Sequence, residues 1–177
     1  MNVGSFITSE KETYGIFSDG YAQSVTDEFI FEYNSLRDVL EKDSLSLMYE
    51  NALGTSKLKH SKIKFLPPLI NPTKIICVGM NYRKPYPIDG QKVSDPNNII
   101  LFGKNREAML AHLDFLESPV GDASNSFDYE GEIAVVIGKQ ARNISPANAH
   151  EYIFGFSAFN DGSVRYWKSH SIYAGNN

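Results

Sequence analysis

The stretch Phe127-Asp-Tyr-Glu-Gly-Glu-Ile-Ala-Val-Val-Ile-Gly138 changes character halfway along. Its first half carries three acids at alternate positions, Asp128, Glu130 and Glu132. Its second half, Ile133 to Ile137, is purely apolar. Alternate side chains of a strand share a face, so a strand here sets the three carboxylates on one side, neighbours ~7 Å apart. Like charges at that spacing repel, and either open water or a cation relieves them. The apolar half reads as a strand of the core, which puts the acids at its mouth. Gly131 permits a bulge or a close backbone approach between the two glutamates. Oxygen donors with no histidine or cysteine beside them favour Mg²⁺, Mn²⁺ or Ca²⁺ over zinc. A solvated acidic face on an edge strand is the competing reading of this segment.

Downstream, Phe156-Ser-Ala-Phe-Asn-Asp-Gly-Ser-Val-Arg165 ends an apolar strand on Asn160-Asp161-Gly162. A carboxylate at a strand end is well placed to hold a ligand, because loops carry function on a rigid scaffold. Taken by itself, Asp161 reads more readily as the cap of a helical turn starting near Ser163. Arg165 either meets an anionic substrate or pairs with one of the acids.

Upstream, Lys74-Ile-Ile-Cys-Val-Gly79 is a continuous apolar run and reads as a strand buried on both faces. Asn98 to Gly103 is a further strand, Ser145-Pro146 opens a short helix ending near Tyr152, and Ile153 to Phe159 returns to strand. Three prolines, at 67, 68 and 72, make the segment before Lys74 an extended connector. Ahead of it, residues 1–33 read as short strands. Asp19-Gly20 signals a hairpin of type I′, whose two central residues both take positive φ. Ser35 with Asp38 opens a first helix, Asp43-Ser44 interrupts it, and Leu45 to Leu53 forms a second that ends at Gly54. The expected division is a small domain over 1–66, a hairpin and two short helices, and a second domain over 70–177. The fold class is α+β and strand-dominated.

The composition narrows the function. The 177 residues are 42% hydrophobic and 21% charged, with net charge −4. A sizeable core is affordable and wholesale disorder is excluded. No basic block offers a surface to nucleic acid or an anionic membrane. The single cysteine, Cys77, excludes an intrachain disulfide and a cysteine-rich zinc site, which suits a reducing compartment. The first residues lack a basic start and a long apolar run, and no apolar stretch approaches the ~18 residues of a membrane span. A cytoplasmic protein is the expectation, without nucleic-acid or membrane partners.

Three segments together resemble the fumarylacetoacetate hydrolase family. They are Cys77-Val-Gly-Met-Asn-Tyr-Arg83, Phe127 to Lys139, and Tyr152 to Arg165 with its Asn-Asp-x-Ser-x-Arg ending. The resemblance covers about residues 70–177 and extends more loosely over 1–66. It implies the first part of a mixed β-roll, and a divalent cation, Mg²⁺ or Mn²⁺, held by Glu130, Glu132 and Asp161. Such a cation chelates the oxygens of a small 1,3-diketo or 2-oxo acid and stabilises an enolate on the way to C–C hydrolysis, decarboxylation or isomerisation. Lys104 matches a family position held by Lys or Arg, and it reads either as a carboxylate partner or as a plain surface lysine. Lys104 and Arg165 are the catalytic candidates. Members of the family are commonly homodimers, so a homodimer is expected if the fold closes.

The sequence also departs from the family. Hydrolytic members follow Asn-Tyr with a histidine and a glutamate that activate water. Here the segment is Asn81-Tyr-Arg-Lys-Pro-Tyr-Pro-Ile88, so Pro85 and Ile88 stand in those places and neither moves a proton. Lys168 stands at a glutamine position and Asn176 at a lysine position. The four histidines, His60, His112, His150 and His170, read as surface or capping residues. Family members also continue beyond this length, so a C-terminally truncated chain with exposed edges and apolar faces is expected. Three functions compete: a metal-dependent hydrolase, isomerase or decarboxylase; a catalytically impaired relative or truncated gene remnant that binds metal or oxo acid; and an α+β binding module whose acids are merely solvated.

Overall fold

A computed structural model describes residues 1–81, 97–165 and 167. Pro85, Ile88, Lys168, His170 and Asn176 lie outside the described residues. The chain divides into two compact units. One comprises Met1–Leu69 and the residues from Leu110 on; the other is Ile70–Met109.

The first unit opens with a five-stranded antiparallel sheet in the order β4-β3-β2-β1-β5. Its strands are β1 (Asn2–Ile7), β2 (Glu12–Ser18), β3 (Tyr21–Ser24), β4 (Leu58–Lys59) and β5 (Lys64–Phe65). The β2–β3 hairpin forms as expected, with Ser18 facing Tyr21. Its turn is not type I′, because Gly20 has φ +76 and Asp19 is not left-handed. A positive φ at the second central position alone is the pattern of a type II turn, which only glycine takes without strain.

Three helices cover this sheet: α1 (Asp27–Glu32), α2 (Leu36–Glu41) and α3 (Leu45–Leu53). The last two match the sequence reading. Ser35 Oγ accepts the Asp38 N–H, and Asp43 breaks the helical run at φ +51. Helix α1 replaces expected strand: Thr26 Oγ1 accepts the Phe29 N–H, and Asp27 and Glu28 follow in the first turn, where acids suit the helix dipole. The core lies between sheet and helices. Tyr14 and Ile16 of β2 meet Val25, Tyr33, Leu36, Val39, Met48 and Ala52.

Buried polar groups tie the two layers together. The Gln23 amide on β3 donates to the carbonyls of Ala52, Leu53 and Thr55, at 3.2, 3.2 and 2.9 Å. One side chain thereby meets the carbonyls of Ala52 and Leu53 at the C-terminal end of α3 and that of Thr55 just beyond it. The Tyr14 hydroxyl donates to the Tyr33 carbonyl, and Ser44 Oγ donates to the Tyr33 hydroxyl at 3.0 Å. Gly15 permits this packing, since a Cβ there would stand 2.0 Å from the Gln23 carbonyl oxygen.

Further along, the first unit carries β8 (Phe127–Asp128), β9 (Gly131–Ile137), β10 (Ile153–Asn160) and β11 (Ser163–Val164). Strands β9 and β10 pair antiparallel, as do β8 and β11. Pro146–Tyr152 forms a 3₁₀ helix, close to the expected helix. The buried-strand reading of Ile133 to Ile137 fails on one face. Ile133 is 72% exposed, and Val135, Ile137 and Phe156 are exposed beside it. Only the alternate residues Glu132, Ala134 and Val136 are half-buried, so this ribbon is covered on one side.

The second unit contains β6 (Ile75–Gly79) paired antiparallel with β7 (Ile100–Lys104). Here too the expectation of a strand buried on both faces is corrected. Cys77 is buried, while Ile76 and Val78 are exposed. A two-stranded ribbon gives each strand one neighbour, and apolar sequence shows what gains from burial, not what covers it. Met80 ends β6 in the left-handed region, at φ 52, a strained conformation for a bulky residue. No helix among the described residues is long and apolar enough to cross a membrane.

Two predictions test the layer contacts. Replacing Gln23 by Ala removes the donor from three carbonyls and is expected to cost about 1–3 kcal/mol, read as a lower urea midpoint at unchanged slope. Burial, with the Asp38 and Tyr33 charges adding, pushes the Tyr14 hydroxyl above its usual value of 10.0. The unfolded chain therefore releases this proton at lower pH than the native one. Stability from this source is whole below about pH 10 and falls as pH rises further. Tyr14→Phe is expected to flatten that alkaline limb in stability measured against pH.

Candidate metal centre

The two short ladders meet at a junction that gathers acids. In one ladder Asp128 faces Ser163 and Phe127 faces Val164. In the other Gly131 faces Asn160 and Glu132 faces Phe159. Tyr129 and Glu130 fall between β8 and β9, and Asp161 and Gly162 fall between β10 and β11. The Asp161 N–H donates to the Glu130 carbonyl at 2.9 Å. The Glu130 N–H donates to Asn160 Oδ1 at 3.1 Å. Ser163 Oγ donates back to the Asp161 carbonyl at 3.1 Å. Backbone polar groups that leave a ladder must find partners elsewhere, and these bonds supply them.

The result is a cluster. Carboxylate oxygens of Glu130, Glu132 and Asp161 lie within 4.8 Å of one another. Asp161 is 2% exposed, and the two glutamates are half-buried. Burying a carboxylate is expensive unless a cation or hydrogen bonds meet it. Ser163–Val164 is strand and helical residues begin at Arg165, later than the turn near Ser163 that Asp161 is expected to cap.

Asp128 does not join this group, contrary to the reading of three acids on one face. The strand is broken at Tyr129–Glu130, so the alternation is lost between Asp128 and Glu130. Asp128 instead takes Arg165, whose Nη2 lies 3.2 Å from Asp128 Oδ2. The other guanidinium nitrogen, Nη1, lies 2.6 Å from Glu130 Oε1. Of the two readings of Arg165, pairing with the acids is the one observed. Lys104 ends β7 in the second unit, opposite Ile75 and half-buried.

Among the described residues no histidine belongs to the carboxylate group. The His60 ring stands edge-on to Phe17 and Phe65, and His112 stands edge-on to Phe65. His60 is thus half-buried, packed against aromatic rings of the sheet. The donor set is all carboxylate, with neither nitrogen nor sulfur. That chemistry fits a hard divalent cation such as Mg²⁺, Mn²⁺ or Ca²⁺ and does not fit a zinc site. The residue missed by sequence reasoning is Asn160, whose side chain carries the junction. Its signal was its type, since asparagine readily bonds backbone groups near turns.

Comparison with known proteins gives the family. Residues 74–175 match the family model described as Fumarylacetoacetate (FAA) hydrolase C-terminal. Oxaloacetate tautomerase fahd2, mitochondrial, of Xenopus laevis is 35% identical over 133 residues, 68% of this chain and 40% of that protein. Oxaloacetate tautomerase YisK of Bacillus subtilis is 31% identical over 140 residues, 78% of this chain and 44% of that protein. The chain thus spans less than half the length of these curated relatives. Among solved structures, the fumarylacetoacetate hydrolase of psychrophilic Exiguobacterium antarcticum superposes with a TM-score of 0.71 at 27% identity, covering 96% of this chain and 59% of that one. The chain belongs to the fumarylacetoacetate hydrolase family, with an α+β fold corresponding to part of that family's larger one.

Proposed function

We propose that this chain is a divalent-metal-dependent enzyme of small oxo acids, and that it isomerises or tautomerises them in preference to hydrolysing them. The observation that carries the metal part is the cluster of Glu130, Glu132 and Asp161, whose ligand atoms converge within 4.8 Å. Like charges so close are favoured by a cation between them. When bound, Mg²⁺ or Mn²⁺ supplies a Lewis acid that favours the enolate form of a 2-oxo acid. The chain's own part is to hold the carboxylates in place. The Asp161–Glu130 and Glu130–Asn160 bonds fix both strands at the junction, and Arg165 fixes Glu130.

The preference for isomerisation rests on Pro85 and Ile88. They stand where the family resemblance places a base and its orienting acid, and neither side chain takes up a proton. Hydrolysis needs an activated water, whereas moving a proton between carbon and oxygen of an oxo acid does not. Two relatives bear the name oxaloacetate tautomerase, which favours the same class. Decarboxylation of a β-oxo acid shares the enolate and is a side activity of the same reading. Arg165 is proposed to meet a substrate carboxylate or the acids, and Lys104, at the end of β7, is proposed separately as a carboxylate partner. The single cysteine suits a reducing compartment such as the cytoplasm. The departures at Pro85, Ile88 and Asn176 favour a second reading, a relative that binds metal or oxo acid without turnover.

Turnover separates the two. With Mn²⁺ or Mg²⁺ the chain is expected to speed the keto–enol interconversion of oxaloacetate, followed by the ultraviolet absorbance of the enol, and to leave acylpyruvates unhydrolysed. Metal binding without any acceleration would favour the non-catalytic relative. Asp161→Asn tests the cluster itself. It is expected to lower Mn²⁺ affinity at least about tenfold by calorimetry, the scale on which altered metal shells act. A thermal melt of the metal-free variant beside the parent checks that the substitution leaves the fold in place. Unchanged Mn²⁺ affinity would move the metal elsewhere.

A further inference from the structure

Which hard cation the cluster prefers depends on how many oxygens each carboxylate can offer, and one side chain restricts that number. Arg165 reaches two acids at once, Glu130 through Nη1 at 2.6 Å and Asp128 through Nη2 at 3.2 Å. The β8–β11 ladder holds this arrangement in register, since Asp128 faces Ser163, two residues before Arg165. Asp128 lies outside the cluster, so its contact with Arg165 draws the guanidinium to one side of Glu130.

We propose that Arg165, held by Asp128, sets the cation selectivity of the cluster by keeping Glu130 to one-oxygen ligation; this rests on the metal reading above. A cation that took both oxygens of Glu130 has to displace Arg165 from Oε1. Ca²⁺ collects six to eight oxygens and commonly takes a carboxylate through both. Mg²⁺ and Mn²⁺ take six in an octahedral set and need one oxygen from each carboxylate. The arginine therefore penalises the larger cation and leaves the smaller ones nearly untouched. A planar guanidinium suits this task because its fork spans two acids, whereas an ammonium meets them as a single point charge. Arg165 acts here through Glu130 and is a positioning residue.

The test is calorimetric titration of the full chain and its variants with Mn²⁺ and with Ca²⁺. The parent is expected to favour Mn²⁺. Arg165→Gln is expected to shift the Mn²⁺-to-Ca²⁺ affinity ratio toward Ca²⁺ on the order of tenfold. Asp128→Asn is expected to shift it the same way by less, and Arg165→Lys to fall between parent and Arg165→Gln. A purely structural role lowers both affinities together and leaves the ratio alone. An unchanged ratio in Arg165→Gln, with both cations still bound, overturns the selectivity role and spares the metal reading. A parent that binds neither cation overturns both. Should Arg165→Gln fail to fold, Asp128→Asn decides, because Asp128 is exposed and its backbone ladder survives the change; an unchanged ratio there overturns the proposal.

Discussion

Three carboxylates within 4.8 Å do not gather by themselves, and the rest of the site depends on what forces them together. That force is backbone geometry at the junction of two short antiparallel ladders. Glu130 gives its N–H to Asn160 and its carbonyl to Asp161, so the two chain segments are fastened at the end of the β9–β10 ladder. The energy for holding these charges close comes in part from the main-chain hydrogen bonds of Glu130 and Asp161 and from the pairing of Glu130 with Arg165. Arg165 relieves part of the repulsion from one side, through Glu130 and Asp128.

The N-terminal sheet solves a different problem with the same means. Its helices are only six to nine residues long, too short to be stable alone, so their ends need partners from the sheet. Gln23 and Tyr14 reach across from β3 and β2 to carbonyls at the ends of α3 and α1. Apolar burial drives the layers together, and these few polar contacts decide how the helices lie on the sheet.

Local signals were legible in the sequence and tertiary ones were not. The cap at Ser35, the break at Asp43 and the helix over Leu45 to Leu53 depend on neighbours within a few residues, and the structure has them. Helix α1 was hidden because Phe29-Ile-Phe31 resembles a strand, although Thr26-Asp-Glu carries an N-cap signal. The turn at Asp19-Gly20 was placed but mistyped, since φ at Asp19 depends on how the hairpin twists. Burial was misjudged at β6 and β9, where apolar runs are covered on one side only. In the site, Glu130, Glu132 and Asp161 stood out by chemistry, and their convergence is what the fold supplies. Asp128 looked equivalent to them because alternation was assumed through Tyr129, where the strand breaks. The role of Asn160 depends on that same break, which no residue pattern announced.

The pairing of β9 with β10 has an irregularity between Ile153 and Gly155, at the end far from the acids. From Gly155 onward the register is regular up to the pair of Gly131 with Asn160. Slippage by one residue turns every side chain of a strand to its opposite face. At the Glu132 end such a slip would swap an acid for Ile133 and scatter the cluster. At the Ile153 end the bulge already absorbs one surplus residue. Insertions and deletions in this ribbon are thus tolerated unequally along its length: the end near Gly138 has room for a change in length, and the end near Asn160 has none.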